Sequence, residues 1–154
     1  MSQVLNVGEI LTVNARLFPH RPAVKDLRRA LTYAQYEERA NRLANGFAGL
    51  GLGRGDRVAI YAHNCLEWME LYAACAKGGV VAVPVNFRLA APEVQYVLDD
   101  SGAAALFVGA DLVELAASIA PGQGERRGAR IQIGGEPLHA GFRGYDELLA
   151  SGSP

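Results

Sequence analysis

Helical and strand patterns alternate along this 154-residue chain, and no other feature of the sequence limits the fold more. Short apolar runs at 57–61, 80–83 and 104–108 have the length and composition of buried strands. More than a dozen residues separate each run from the next, which is enough for a helical crossover between parallel strands. The alternation therefore predicts an α/β fold with a doubly wound, mostly parallel sheet flanked by helices. Since the run at 80–83 is continuous and rich in valine, we expect its strand to be buried on both faces.

Four polar residues predict where helices begin. Asn6, Thr32, Asn64 and Asp111 are each followed, three residues later, by a glutamate or glutamine, which is the spacing of a capping box. We expect a further helix to begin with Pro92 at its first position. After Thr32, apolar residues recur at helical spacing and predict one buried face, formed by Tyr36, Ala40, Leu43, Phe47 and Leu50.

Weaker patterns complete the predicted element order. Residues 23–25 and 29–31 suggest a short hairpin, residues 130–133 a strand and residues 145–150 a short helix. Residues 1–150 are assigned to one α/β unit, and residues 151–154 resemble a linker-like tail. On the helix after Asn64, the spacing predicts an inward face formed by Leu66, Met69, Tyr72, Ala73 and Ala76.

Composition excludes several classes of protein. The 15 Lys and Arg residues nearly balance the 16 Asp and Glu residues, which argues against a nucleic-acid-binding protein. Half of the residues are apolar, which argues against intrinsic disorder. No apolar run approaches the roughly 20 residues of a transmembrane helix, and the N-terminus lacks the pattern of a secretory signal. We therefore expect a cytoplasmic protein without a transmembrane segment.

The two cysteines, Cys65 and Cys75, are expected to be reduced. They lie ten residues apart on one predicted helix, which places them about 15 Å apart at 1.5 Å per residue. That separation exceeds the roughly 7 Å limit for the Cα atoms of a disulfide.

Three features could bind a ligand, and each also has a simpler structural interpretation. The glycine-rich segment 51–55 follows a helix and precedes a strand, so it would offer carbonyls to a phosphate, and we interpret it as a cap and turn. His63 lies where a parallel strand ends, which is a common ligand position, although a locally hydrogen-bonded loop histidine is favoured. The basic pairs 28–29 and 126–127 could contact an anionic group, although solvated turns are favoured.

Five stretches, in order, resemble the N-terminal part of acyl-CoA synthetases within the adenylate-forming superfamily. Each stretch alone is short, but their order along the chain is specific. The matching residues are Leu31, Thr32 and Tyr33 in an L-T-Y-x-E-L motif; Gly55 and Asp56 in G-D-R-V-A-I; Asn64, Glu67 and Trp68 in N-x-x-E-W; Lys77, Gly79, Pro84, Asn86, Arg88 and Leu89 in K-x-G-x-x-x-V-P-x-N-x-R-L; and the segment 93–101.

The resemblance implies that this chain is part of the large N-terminal domain of an AMP- and pyrophosphate-forming acid–thiol ligase. Such an enzyme activates a carboxylic acid, here expected to be a fatty acid, as acyl-AMP and transfers the acyl group to coenzyme A. ATP, Mg²⁺ and coenzyme A would be bound by the parent protein. The family's Ser/Thr/Gly-rich phosphate loop ending in P-K-G does not occur in these residues, so we expect an N-terminal fragment that is inactive alone and binds no cofactor.

The matching residues are expected to be structural, because they fall in predicted caps, turns and buried strands. We assign no catalytic, substrate-binding or metal-binding residue. Apolar surface left uncovered on a fragment is expected to cause homo-oligomerisation. The alternative is a free-standing doubly wound α/β module that binds a ligand or a partner protein.

Overall fold

The computed structural model describes residues 6–125 and 129–154. The α-helices are α1 (Val7–Leu17), α2 (Tyr33–Gly49), α3 (Leu66–Gly78), α4 (Ala91–Ser101), α5 (Val113–Ala117) and α6 (Tyr145–Ser151). The strands are β1 (Pro22–Lys25), β2 (Ala30–Thr32), β3 (Arg57–Tyr61), β4 (Val81–Val85), β5 (Ala105–Gly109), β6 (Arg130–Ile133) and β7 (Arg143–Gly144). A 3-10 helix, Ala110–Leu112, precedes α5.

The main sheet has the strand order β4-β3-β5-β6-β7, and every neighbouring pair in it is parallel. Side chains of α2, α3 and α6 pack with β3, β5 and β6 in one apolar cluster. Side chains of α4 and α5 pack with β3 and β5 in a second cluster. Since alternate residues of a strand point to opposite faces, the two clusters lie on opposite sides of the sheet, and the predicted doubly wound α/β fold is confirmed.

The antiparallel hairpin of β1 and β2 confirms the prediction for residues 23–31. It packs with α1, α2 and α3 around a third apolar cluster. Asn6 and Thr32 both form the predicted capping boxes, with Glu9 and Gln35 respectively. Local backbone rules were therefore sufficient to locate the starts of α1 and α2.

Strand β4 lies at an edge of the sheet, and the prediction that it is buried on both faces was wrong. Val81 is 49% exposed, and only Val85 of this strand is fully buried. The backbone N–H of Val81 donates to the backbone carbonyl of Asp56, just before β3. Because successive residues of a strand direct their backbone polar groups to opposite sides, those of residues 82 and 84 point to the free edge. Pro84 has no N–H to leave unpaired there, which suits it to an edge strand.

Helix α3 differs from its prediction in two respects. Its N-cap is Cys65 rather than Asn64, and no side chain of its own segment caps it. The carboxylate of Asp26, in the β1–β2 turn, instead accepts a hydrogen bond from the N–H of Leu66 at 3.3 Å. The buried residues are Leu66, Glu70, Leu71, Ala74 and Cys75.

The predicted inward face of α3 was therefore only partly right. Leu66 is buried, but Met69 and Tyr72 are 44% and 41% exposed. Apolar residues occupy two faces of this helix, and spacing alone cannot show which one packs against the sheet. The prediction that Asp111 caps a helix was also wrong, because Asp111 lies inside the 3-10 helix and α5 begins at Val113 with no side-chain cap.

The short strand β7 was not predicted, since two residues give too little pattern to recognise. The last residues pack against α2: Arg42 donates to the carbonyl of Gly152, and Asn45 donates to the carbonyl of Ser153. The assignment of residues 1–150 and 151–154 to separate segments stays a prediction.

Candidate functional site

The strand order creates a switch point at the carboxyl ends of β3 and β5. The chain leaves β3 through α3 towards β4, and α4 then carries it back across β3 to β5. Loops that follow β3 and β5 therefore diverge to opposite faces of the sheet and leave a crevice between them. In open α/β sheets, ligands bind in such a crevice.

His63 and Asp111 meet across this crevice. His63 follows β3, as the sequence predicted, and Asp111 follows β5. The imidazole Nε2 lies 3.1 Å from a carboxylate oxygen of Asp111, and both side chains are about half exposed. The ring of His63 also packs against the ring of Phe87, which follows β4, with centroids 4.0 Å apart and planes tilted by 40°. The favoured interpretation of His63 as a locally bonded loop histidine missed this partner, because Asp111 is distant in sequence.

A cavity of about 560 Å³ lies beside this crevice, where α3 stands over the ends of β3 and β4. Trp68, Met69 and Tyr72 of α3 form one wall, and Pro84 and Phe87 contribute from β4 and the loop after it. The remaining lining residues come from the loops and strand ends: Ala62, Asn64, Cys65, Val85 and Asn86. Of the family-like residues, Asn64, Trp68, Pro84 and Asn86 thus meet around one cavity.

Lys77 and Glu67 connect α3 to neighbouring elements of the fold. The ammonium of Lys77 donates to the hydroxyl of Thr12 at 2.9 Å and to the carboxylate of Glu37 at 2.7 Å, which connects α3 to α1 and α2. Glu67 accepts a hydrogen bond from Arg29 of the hairpin at 2.6 Å. Both contacts link α3 to neighbouring elements, and the structural role expected from the sequence stays a prediction.

A buried acidic group that the sequence did not single out lies next to Glu67 on α3. Glu70 is fully buried and accepts hydrogen bonds from Arg39 at 2.6 and 3.1 Å and from the hydroxyl of Tyr145 at 2.6 Å. Burial, and secondarily the negative charge of Glu70, raises the pKa of Tyr145 well above its usual value, so Tyr145 stays a donor. The contacts fasten α2, α3 and α6 to one another.

The glycine-rich loop is a turn, as interpreted. Gly55 has a φ of +88° and its N–H donates to the carbonyl of Gly79 at 2.9 Å. Gly79, with a φ of +68°, is the left-handed C-cap of α3. The carboxylate of Asp56 accepts from the N–H of Gly53 at 2.8 Å and closes the loop.

The other family-like residues also form internal contacts. Leu31 is buried and Tyr33 packs beside it in the cluster under the hairpin, on either side of the cap residue Thr32. The side-chain oxygen of Asn86 accepts from the N–H of Arg88 at 3.0 Å. The carbonyl of Leu89 accepts from the hydroxyl of Tyr61 at 3.0 Å, and the Arg88 guanidinium lies over Phe87 at 5.1 Å.

The described residues do not fit a nucleoside triphosphate with its Mg²⁺. The glycine loop follows the carboxyl end of α2, where carbonyls would repel phosphate, and its donors close internal turns. Within residues 6–125 and 129–154, no group of three or more His, Cys, Asp or Glu side chains could hold a metal ion. No step of nucleotide chemistry is therefore assigned to these side chains.

The basic pairs have different outcomes. Both backbone N–H groups of Arg28 and Arg29 donate to Asp26, and the Arg29 side chain pairs with Glu67, which supports the turn interpretation. The pair at 126–127 lies outside the described residues.

Cys65 and Cys75 are both free thiols, as predicted. Over the described part of the chain, none of the helices combines the length and apolarity needed to cross a membrane.

Comparison with known proteins identifies one family. The profile of the family described as "AMP-binding enzyme" matches residues 11–142. Feruloyl-CoA synthase of Amycolatopsis sp is 43% identical over 109 residues, which cover 71% of this chain and 22% of that protein. Long-chain-fatty-acid--CoA ligase FadD13 of Mycobacterium tuberculosis is 44% identical over 109 residues, which cover 68% of this chain and 21% of that protein. The chain thus spans about a fifth of the length of these curated relatives.

Solved structures agree with this fold. The crystal structure of the anthranilate CoA ligase AuaEII with anthranoyl-AMP superimposes with a TM-score of 0.89 at 26% identity, over 97% of this chain and 28% of that one. The N-terminal domain of FACL13 from Mycobacterium tuberculosis gives a TM-score of 0.82 at 33% identity, over 97% of this chain and 37% of that one. The sheet and its flanking helices thus match the N-terminal domain of adenylate-forming enzymes.

Proposed function

The chain belongs to the AMP-binding enzyme family, and from that premise we propose that it is the N-terminal scaffold portion of an ATP-dependent acyl-CoA synthetase. The parent protein activates a carboxylic acid as acyl-AMP and transfers the acyl group to coenzyme A, with ATP and Mg²⁺ as its cofactors. The observation that carries the proposal is the family match over residues 11–142, together with CoA ligases among the similar proteins. Cytoplasmic location is part of the proposal, and the two free thiols are compatible with it.

The scaffold role is supported by how the family-like side chains are used. The polar atoms of Lys77 and Thr32 make hydrogen bonds inside the fold. Arg57, in the same motif as Gly55, donates to the carbonyls of Ser101 and Gly102 at 2.8 and 2.9 Å and thereby closes the end of α4. Groups engaged in this way hold the ends of strands and helices in place. We therefore propose that the 154 residues alone have no ligase activity.

Carboxylate-dependent exchange of pyrophosphate into ATP tests both parts of the proposal. We expect no exchange above background from the 154-residue chain, and exchange from the longer polypeptide encoded when the reading frame continues beyond codon 154. Exchange catalysed by the 154 residues would contradict the scaffold role. A stop codon after Pro154 would contradict the synthetase proposal and favour the ligand- or partner-binding module.

A fatty acid is the proposed substrate of the parent protein. The similarity to FadD13, which is named as a long-chain-fatty-acid ligase, supports this choice, whereas the similarity to a feruloyl-CoA synthase offers an aromatic acid as the alternative. AMP release by the longer polypeptide should be compared for palmitate, hexanoate and ferulate. A higher kcat/KM for ferulate than for either fatty acid would contradict the choice.

Self-association through helix α1 is also proposed. Val7, Ile10 and Leu17 share one side of this helix and are 73%, 54% and 61% exposed. Light scattering should show an average mass that rises with concentration, because water-exposed apolar surface favours association. The double variant Ile10→Lys with Leu17→Lys should remain monomeric, whereas the control Leu138→Lys, at another exposed leucine, should behave as the unaltered chain. A concentration-independent monomer would contradict the proposal.

A further inference from the structure

The cavity between α3 and the end of β4 has the size and position of a small-molecule site. Its volume of about 560 Å³ lies within the roughly 300–1,000 Å³ typical of ligand pockets. It opens outside the carboxyl ends of β3 and β4, which is where parallel sheets bind ligands. It lies on the β4 side of β3, whereas the crevice with His63 and Asp111 lies on the β5 side.

Helix α3 presents a second apolar face to this cavity. Its inner face, with Leu71, Ala74 and Cys75, is already buried in the main core. Met69 and Tyr72 nevertheless remain 44% and 41% exposed on the cavity wall. Two large apolar side chains side by side in a concave surface would be stabilised by an apolar occupant.

Contacts with neighbouring groups hold the aromatic side chains of the cavity wall in position. The indole of Trp68 donates to the carbonyl of His63 at 3.1 Å and lies 5.6 Å from the ring of Tyr72. The ring of Phe87 packs against the ring of His63, with centroids 4.0 Å apart, and the guanidinium of Arg88 lies 5.1 Å from the centroid of the Phe87 ring. Rings fixed in advance lose little freedom when a flat ligand stacks against them.

The polar groups of the lining are neutral. Among the described residues that line the cavity, none carries a carboxylate, ammonium, guanidinium or imidazole group. Burial raises the pKa of the Cys65 thiol to about 11, so this group is uncharged at neutral pH. Asn64 and Asn86 contribute carboxamides, whose NH₂ groups donate hydrogen bonds. A charged ligand would find no counter-ion among the lining side chains, which disfavours it.

We propose that this cavity binds a neutral, planar aromatic molecule that carries a hydrogen-bond acceptor, independently of the ligase function proposed above. The ring stacks against Trp68, Tyr72 and Phe87. The acceptor receives a hydrogen bond from the carboxamide of Asn64 or Asn86.

Nuclear magnetic resonance of the ¹⁵N-labelled chain tests the site directly. Trp68 is the only tryptophan, so its indole N–H gives a single cross-peak at the cavity wall. Coumarin, a neutral bicyclic lactone, should shift this peak saturably with a dissociation constant below about 1 mM. Coumarin-3-carboxylate has the same rings but is anionic, and it should bind at least tenfold more weakly.

Matched variants locate the binding. Tyr72→Lys, or Met69→Lys if the first variant is unfolded by circular dichroism, should weaken coumarin binding at least tenfold. Tyr96→Lys makes the same change at a tyrosine that is 67% exposed on α4, outside the cavity, and should change the dissociation constant less than twofold. The proposal is overturned by any of three results: no saturable shift up to the solubility limit of coumarin, equal affinity for the carboxylate, or equal losses in the cavity and control variants.

Discussion

Glu70 is expected to stabilise the fold more than any exposed charge of this chain, and replacing it is the strongest test of the packing described above. The carboxylate is fully buried and accepts three hydrogen bonds, two from Arg39 and one from Tyr145. A second guanidinium, that of Arg29, lies 3.7 Å away. Glu70→Ala removes the acceptor and leaves the Arg39 guanidinium and the Tyr145 hydroxyl without this partner.

The size of the effect follows from what the variant leaves unpaired. Removing one partner of a buried ion pair lowers the free energy of unfolding by about 3–5 kcal/mol. Part of that loss, about 1–3 kcal/mol, comes from a buried hydroxyl that is left without a hydrogen-bond partner. The Arg39 side chain keeps 21% exposure and can be partly hydrated, so we expect the lower part of the range, about 3 kcal/mol, for Glu70→Ala. Glu70→Gln keeps the shape and an acceptor for Tyr145 but loses the charge, and it should cost about 1–2 kcal/mol.

Urea unfolding followed by Trp68 fluorescence measures these free energies. The control is Glu147→Ala, whose carboxylate pairs with Arg143 of β7 but is 62% exposed, so the change should be about 0.5 kcal/mol or less. The loss of unfolding free energy should be largest for Glu70→Ala, smaller for Glu70→Gln and smallest for the control Glu147→Ala. A loss below about 1 kcal/mol for Glu70→Ala, or equal losses for Glu70→Ala and the control, would show that the buried network is not stabilising.

Three further predictions concern titration, thiols and one glycine. Burial raises the pKa of both Cys75 and Tyr36 to about 12, above their usual 9.0 and 10.0. The unfolded chain therefore loses these protons first, and the stabilisation that the two groups contribute should be fully present well below pH 9 and be lost as the pH rises from about 9 to 12; an increase in urea midpoint from pH 9 to 12 would contradict it. At pH 8, Cys65 should react with a thiol reagent at least tenfold faster than the buried Cys75, whose labelling should occur only through unfolding and accelerate with urea; equal rates would refute its burial. Gly79→Ala, at a φ of +68°, should destabilise the fold by about 1 kcal/mol, whereas Gly53→Ala, with open space and no positive φ, should be nearly neutral in the same urea assay.

Features decided within a few residues were accessible from the sequence. The capping boxes at Asn6 and Thr32 depend only on short stretches of backbone and on side chains three residues apart. Strand β3 was predicted with its observed bounds because its apolar run matches its burial on both faces. The alternation of these elements was enough for the α/β fold, since few other topologies accommodate it.

Features decided by neighbours distant in sequence were not accessible. Strand β4 has the composition of a buried strand, yet the chain crosses back over β3 and leaves β4 at the edge. Asp111 has the spacing of a cap, yet in the fold it pairs with His63, which follows a different strand. Glu70 stands among apolar residues of α3 without any local signal, and its two main donors come from α2 and α6.

Asp26 shows why the start of α3 in particular escaped prediction. One oxygen of its carboxylate accepts the N–H groups of Arg28 and Arg29, at 2.7 and 2.9 Å, and these hydrogen bonds lower its pKa. The other oxygen accepts the N–H of Leu66, forty residues later, which is one of the backbone donors that the start of a helix leaves without a partner inside the helix. The helix is therefore capped by the hairpin turn, and Asn64 is free to line the cavity. Because the Arg29 side chain also pairs with Glu67, one tight turn both ends the hairpin and fixes the first turn of α3, the helix that forms the aromatic wall of the proposed ligand site.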